Sequence, residues 1–268
     1  MAHLDVENGR EIYYEHHTGS GRPVLNIHSW AMSLRVWDTM LYPLQQRGHA
    51  VVAFDQRCCG RSDKDFEESS IAASARDAVA LVDTLGLEGV VVNGWSLGGA
   101  IATETARLLG SRCAGLILTC GASPRYTRGD GFPHGSSAED VQATVDAIQP
   151  NRAEFFQNIS RAVCVKPVGE ATLDWMRGLF WESTPGADLP LGELATLDQR
   201  EVLAQLDMPL LSIVGSEDGF TPPGIGETAA KLAKDGQLVR FEGCGHAPQI
   251  EDYQGYVTAV TAFLDRIG

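Results

Sequence analysis

Val90-Val91-Val92-Asn93-Gly94-Trp95-Ser96-Leu97-Gly98-Gly99 is the stretch whose reading decides the fold. Three consecutive valines followed by Asn93 suit a strand covered on both faces, because β-branched residues without polar alternation need cover above and below. From Ala100 to Leu109 the apolar spacing becomes helical. Between strand and helix, Gly94, Gly98 and Gly99 bracket a serine. Small residues at both ends of a tight strand-to-helix turn let neighbouring backbone pass close by, and such a turn thrusts the Ser96 hydroxyl out of the chain. The helix that starts there also aims its free N–H groups and the positive end of its dipole at any developing negative charge. A Gly-x-Ser-x-Gly string is common by chance. The strand–turn–helix setting is what makes Ser96 a candidate nucleophile.

Working outward, the same alternation continues. Residues 11–14, 24–27, 50–54 and 116–119 read as short β runs, and residues 72–85 read as a helix with Ala75, Val79 and Val82 on one face. Parallel strands need helix-length crossovers, which this spacing supplies. The expected class is α/β, doubly wound. From about Pro124 to Leu206 the pattern reads as helices only. Val141, Val145 and Ile148 share one face, as do Phe155, Ile159 and Val163, and again Leu173, Met176 and Phe180. Prolines at 150, 167, 185 and 190 separate these pieces. Strand signals return at 210–214 and 238–241, and a last helix is expected over 253–267. The expected organisation is a core of residues 1–123 and 207–268, interrupted by a helical cap at 124–206. An insertion at the strand ends of an open sheet overhangs the ligand crevice and would act as a lid. A block of helices packed only on itself is the alternative.

A serine hydroxyl is a weak nucleophile and needs a base with an orienting acid. For this kind of turn the order along the chain is Ser, then Asp or Glu, then His. Downstream of Ser96, the run Leu210-Leu211-Ser212-Ile213-Val214 ends in Gly215-Ser216-Glu217-Asp218. Further on, Leu238-Val239-Arg240-Phe241 leads into Gly243-Cys244-Gly245-His246. Ser96, Asp218 and His246 thus fall on three strand ends in the required order, with Glu217 as a rival for the acid. Asp218 would fix the tautomer of His246, and His246 would take the Ser96 proton and pass it to the leaving group. Two N–H donors are needed for the oxyanion. Leu97, directly after the serine, and Trp30, in the loop His28-Ser29-Trp30 after the strand ending at Ile27, are the expected pair. His28 precedes the serine, so it fits a structural, oxyanion-loop or substrate-contact role better than that of the base.

Composition sets outer limits. At 268 residues the chain can bury a sizeable core without disulfides or metal. Its 21 Lys+Arg against 35 Asp+Glu give a net charge of −14, which repels nucleic acid phosphates and anionic membranes. The six cysteines form no C-x-x-C or other metal-ligand spacing, so no metal is expected. The first residues, Met1-Ala2-His3-Leu4-Asp5, lack the apolar segment of a signal peptide, and no stretch is apolar enough to span a bilayer. Free thiols in a reducing cytoplasm are the expectation.

These residues resemble the α/β-hydrolase fold superfamily over nearly the whole chain. The resemblance rests on the His28 loop, the segment Asp55-Gln56-Arg57-Cys58-Cys59-Gly60-Arg61-Ser62, the Ser96 turn, the Asp218 turn and the His246 loop. His28-Ser29-Trp30 followed by Leu34-Arg35-Val36-Trp37-Asp38 is similar to β-ketoadipate enol-lactone hydrolases, with cofactor-free haloperoxidase-like esterases nearly as close. The resemblance implies a mostly parallel eight-stranded sheet flanked by helices, a helical cap, no cofactor and hydrolysis through an acyl-enzyme. Two positions depart from the pattern: His28-Ser29 where most relatives carry His-Gly, and Arg57-Cys58 where they carry Arg-Gly. Relatives with dehalogenase or epoxide hydrolase activity place aspartate where this chain has Ser96.

The partner expected is a small-molecule ester or lactone. Trp30, Trp95, Phe220 and the apolar cap faces would line a largely hydrophobic pocket, with His28 beside them. No Arg and Lys cluster marks a site for a di-acid, which counts against the anionic ketoadipate enol-lactone itself. Perhydrolysis, C–C bond hydrolysis and hydroxynitrile cleavage use the same three residues, and a hydrolase-like ligand receptor is a further alternative.

Overall fold

The computed structural model describes residues 2–268. In chain order the elements are β1 (Ala2–Glu7), β2 (Arg10–His17), β3 (Gly21–Ile27), α1 (Asp38–Gln46), β4 (His49–Phe54), α2 (Ile71–Thr84), β5 (Val90–Trp95), α3 (Leu97–Leu109) and β6 (Cys113–Thr119). Then come α4 (Ala138–Ile148), α5 (Arg152–Ala162), α6 (Glu170–Trp181), α7 (Leu189–Glu193) and α8 (Arg200–Gln205). The chain closes with β7 (Leu210–Gly215), α9 (Pro223–Leu232), β8 (Gly236–Phe241), α10 (Pro248–Glu251) and α11 (Tyr253–Ile267).

The eight strands form one sheet in the order β1-β2-β4-β3-β5-β6-β7-β8. The β1–β2 and β2–β4 pairs are antiparallel and the other pairs are parallel. Every residue of β5 and β7 is buried. That is why their sequences are nearly continuous in apolar residues. The edge strands β1 and β8 instead alternate in exposure. β1 was not anticipated, because exposed His3 and Asp5 interrupt the apolar signal on which the other strands were read. Helices cover both faces. On β5, the Asn93 side chain reaches Tyr256 of α11, whereas a Cβ added at Gly94 would meet Ala102 of α3. Successive residues of a strand point to opposite faces, so α11 and α3 flank the sheet from opposite sides.

The strand order also places the site. From β3 the chain steps to β4 on one side, then crosses to β5 on the other. The carboxyl ends of β3 and β5 therefore diverge at a switch point, where open α/β sheets bind ligands. The Ser29–Trp30 loop leaves β3 there, and Ser96 leaves β5. Helices α4 to α8 all lie between β6 and β7 in sequence, as the helical spacing of that stretch predicts. α8 packs against α3 and α9, while α5 and α6 pack against each other.

Candidate active site

Ser96 sits on the turn between β5 and α3 with φ 57° and ψ −121°. For a residue with a Cβ this left-handed conformation is strained, at a cost of about 1–2 kcal/mol. Backbone bonds hold it there. Ser96 N–H donates to the Thr119 carbonyl at 3.0 Å, and the Ser96 carbonyl accepts from Gly99 and Ala122, each at 2.8 Å. The glycines have steric reasons. A Cβ at Gly94 would lie 2.1 Å from the Gly98 oxygen, and one at Gly98 would lie 2.5 Å from the His28 oxygen.

Asp218 follows β7 and is buried. Its Oδ1 accepts from the N–H groups of Phe220 (2.8 Å) and Thr221 (2.9 Å). Its Oδ2 accepts from the Thr221 hydroxyl (2.7 Å) and faces His246 Nδ1 at 2.8 Å. Burial works to raise this carboxyl, but His246 and the Thr221 donors outweigh it and hold the group below the ordinary aspartate value. The rival Glu217 is exposed. His246 is fixed from three sides. Its N–H donates to the Val163 carbonyl at 2.9 Å, and its carbonyl accepts from Trp95 Nε1 at 2.7 Å. Its ring lies between those of Trp95 and Phe220, at centroid distances of 5.7 and 5.0 Å. With Nδ1 committed to Asp218, Nε2 is the nitrogen left to exchange protons.

Ser96 and His246 line one cavity of about 470 Å³. Trp30, Trp95 and Phe220 contribute to its floor, and Phe155, Ile159, Val163 and Phe180 from the 124–206 segment close it from above. Among the described residues, no Asp, Glu, Lys or Arg side chain lines it. Trp30 joins the two halves. Its ring packs within 6.0 Å of the rings of Phe155, Phe156 and Phe180, and its Nε1 donates to Asp188 Oδ1 at 3.2 Å. Asp188 is paired in turn with Arg152.

Of the roles the sequence leaves open for His28, substrate contact has no support in the cavity lining. His28 is fully buried and does not line the cavity, because both ring nitrogens are already bonded. Nε2 accepts from Gln56 N–H at 2.9 Å, which leaves the proton on Nδ1 to donate to the Ser29 carbonyl at 2.7 Å. Burial pushes its pKa down to about 4, so the ring is neutral and supports the loop that carries Trp30. Asp55 supports the same loop, accepting from Leu34 N–H at 2.6 Å and from Arg61 N–H at 2.8 Å. Cys58, in the place of a glycine, keeps the left-handed turn at φ 65°. Thr221, Asp188 and Arg152 escaped the sequence reading. Only Thr221 left a signal there: a hydroxyl three residues after an aspartate is a common local partner for its carboxylate. All six cysteines are unpaired.

The sequence profile of the alpha/beta hydrolase family matches residues 24–259. The chain belongs to that family. This hydrolase is 30% identical over 271 residues to a non-heme haloperoxidase of Rhodococcus erythropolis, covering 92% of this chain and 93% of the relative. It is 29% identical over 257 residues to a pimeloyl-[acyl-carrier protein] methyl ester esterase of Chromobacterium violaceum, covering 92% and 96%. Its fold superposes on an esterase from Exiguobacterium antarcticum with a TM-score of 0.93 at 24% identity, covering 98% of each chain. Among the described residues, no helix is long and apolar enough to cross a membrane.

Proposed function

We propose that this hydrolase cleaves a carboxylic ester or lactone of a small, uncharged, largely apolar molecule through a covalent acyl-enzyme. The observation that carries the reading is the buried Asp218–His246 pair opening onto the cavity that Ser96 also lines. Ser96 Oγ attacks the carbonyl carbon while His246 Nε2 takes its proton; Asp218 holds the Nδ1 proton and stabilises the imidazolium. The N–H groups of Leu97 and Trp30 receive the charge on the carbonyl oxygen, and His246 then returns the proton to the departing alcohol oxygen. Water, deprotonated by the same nitrogen, releases the acid and restores Ser96. Uncharged aromatic walls at Trp30, Trp95 and Phe220 favour apolar acyl or alcohol groups, and the lining gives a carboxylate-bearing substrate no cationic Arg or Lys partner. The segment 124–206 is the cap in this reading, with α5 and α6 as its ceiling, and the six unpaired cysteines favour a reducing cytoplasm.

The test is turnover of a p-nitrophenyl ester and lactone panel by wild type and Ser96→Ala. A loss of about 10⁴-fold or more with an intact fold is expected for removal of a nucleophile; undiminished turnover would refute the assignment. The name of the Rhodococcus relative favours one variation, in which hydrogen peroxide replaces water at the acyl-enzyme and a peracid leaves. Product analysis with acetate ester and peroxide separates the two acceptors.

A further inference from the structure

We propose that Cys120, Asp218 and His246 together form an inhibitory binding site for a thiophilic divalent cation such as Zn²⁺ or Cd²⁺. This rests on the reading of His246 as the base. Cys120 directly follows β6 in a left-handed conformation, φ 41°. Its backbone is held in place: Cys120 N–H donates to the Ile213 carbonyl at 2.8 Å, and its carbonyl lies 3.0 Å from the Thr221 hydroxyl oxygen that bonds Asp218. The thiol is thereby held beside the acid–base pair. One ligand atom each from Cys120, Asp218 and His246 lie within 4.8 Å of one another, and all three residues are buried. Among the described residues, this is the one group of three or more such side chains so arranged.

The donor set is chemically apt. A thiolate, an imidazole and a carboxylate are the ligand types of zinc sites. Bond lengths of about 2.0–2.3 Å put tetrahedral ligands about 3.3–3.8 Å apart, so His246 Nδ1 and Asp218 Oδ2, now 2.8 Å apart, open by about half an ångström, while the Cys120 thiol closes by up to about an ångström. Charge balances as well. One thiolate and one carboxylate neutralise a divalent ion, which removes the main objection to burying it. Burial holds the free thiol protonated, well above its ordinary range, so the cation displaces that proton to solvent on binding. The ion bonds to Nδ1, the nitrogen that faces Asp218, and the ring's single proton is then carried on Nε2. A protonated Nε2 cannot accept the proton of Ser96. The ion therefore blocks the reaction at its base and leaves the serine untouched. Thr221 Oγ1, 2.7 Å from Asp218 Oδ2 and 3.3 Å from His246 Nδ1, is positioned to share the fourth site with water.

The experiment is titration of the purified chain with CdCl₂ and with ZnCl₂ at neutral pH, following p-nitrophenyl ester hydrolysis and the ultraviolet thiolate-to-cadmium charge-transfer band. Wild type should show saturable, chelator-reversible inhibition together with the band. Cys120→Ala and Cys120→Ser should keep hydrolysis, lose the band and require about tenfold more cation or higher for half-inhibition. The serine variant retains side-chain size should alanine disturb packing. Inhibition and band unchanged in both variants would place the ion on other groups and overturn the proposal, as would wild type that shows neither. The band reports the site without reference to catalysis: a protein that binds cadmium through Cys120 but hydrolyses no ester would refute the proposed activity and spare the site.

Discussion

Asp188 is the test of how the loop that carries Trp30 is tied to the 124–206 segment. Its buried carboxylate accepts from Trp30 Nε1 at 3.2 Å and pairs with Arg152. Asp188→Ala removes both interactions at once. The indole N–H is left without an acceptor, at about 1–3 kcal/mol, and breaking a buried ion pair by deleting one partner costs about 3–5 kcal/mol. Two features pull the total down. Arg152 keeps 17% side-chain exposure and still donates to Ser183 Oγ at 3.1 Å. It also lies over the Phe156 ring at 4.7 Å, so its charge is not stranded. The expected loss is about 3 kcal/mol, or a fall in melting temperature of about 6–12 °C for a chain of this size. Urea unfolding followed by near-ultraviolet circular dichroism measures it. The double variant Asp188→Ala/Arg152→Met should recover about 1 kcal/mol, since the cation no longer lacks its partner. A single variant within about 1 kcal/mol of wild type would show that the network contributes only surface-type pairing, and the reasoning fails.

Two further outcomes follow from the same geometry. Gly98→Ala ought to gain about 1 kcal/mol from helix propensity, yet the new Cβ would lie 2.5 Å from the His28 oxygen and 2.6 Å from the Ile27 oxygen. Neither backbone atom can swing aside, so a loss of about 3 kcal/mol or more is expected, and a variant as stable as wild type by urea unfolding contradicts it. Burial raises the Asp55 carboxyl to about 6, whereas an unfolded aspartate titrates near 4. The folded chain then binds this proton more tightly, so the Asp55 contribution falls as pH rises from about 4 to about 6 and costs about 3 kcal/mol above that window. Stability measured against pH for wild type minus Asp55→Asn should decline across that interval; parallel curves would refute it.

What could be read in advance depended on whether a residue's partners lie close along the chain. The Ser96 turn was legible because its steric reasons, Gly94, Gly98 and Gly99, sit within a few residues, and buried parallel strands advertise themselves by continuous apolar runs. Asp218 followed because it comes just after the continuously buried β7, and His246 because the shorter apolar run of the edge strand β8 runs into a glycine-rich loop. β1 stayed hidden because an edge strand tolerates His3 and Asp5 on its open side. Asp188 was invisible for another reason. It meets a tryptophan 158 positions away and an arginine 36 positions away, and neither separation leaves a local pattern. His28 misled because a histidine after an apolar strand looks the same in sequence whether its nitrogens face a ligand or Gln56.

Trp95 gives the site a mechanical property. Its backbone leads directly into Ser96, and its indole nitrogen grips the carbonyl of His246, at 2.7 Å. Ser96 and His246 are thus both hung from a single residue rooted in the middle of the sheet.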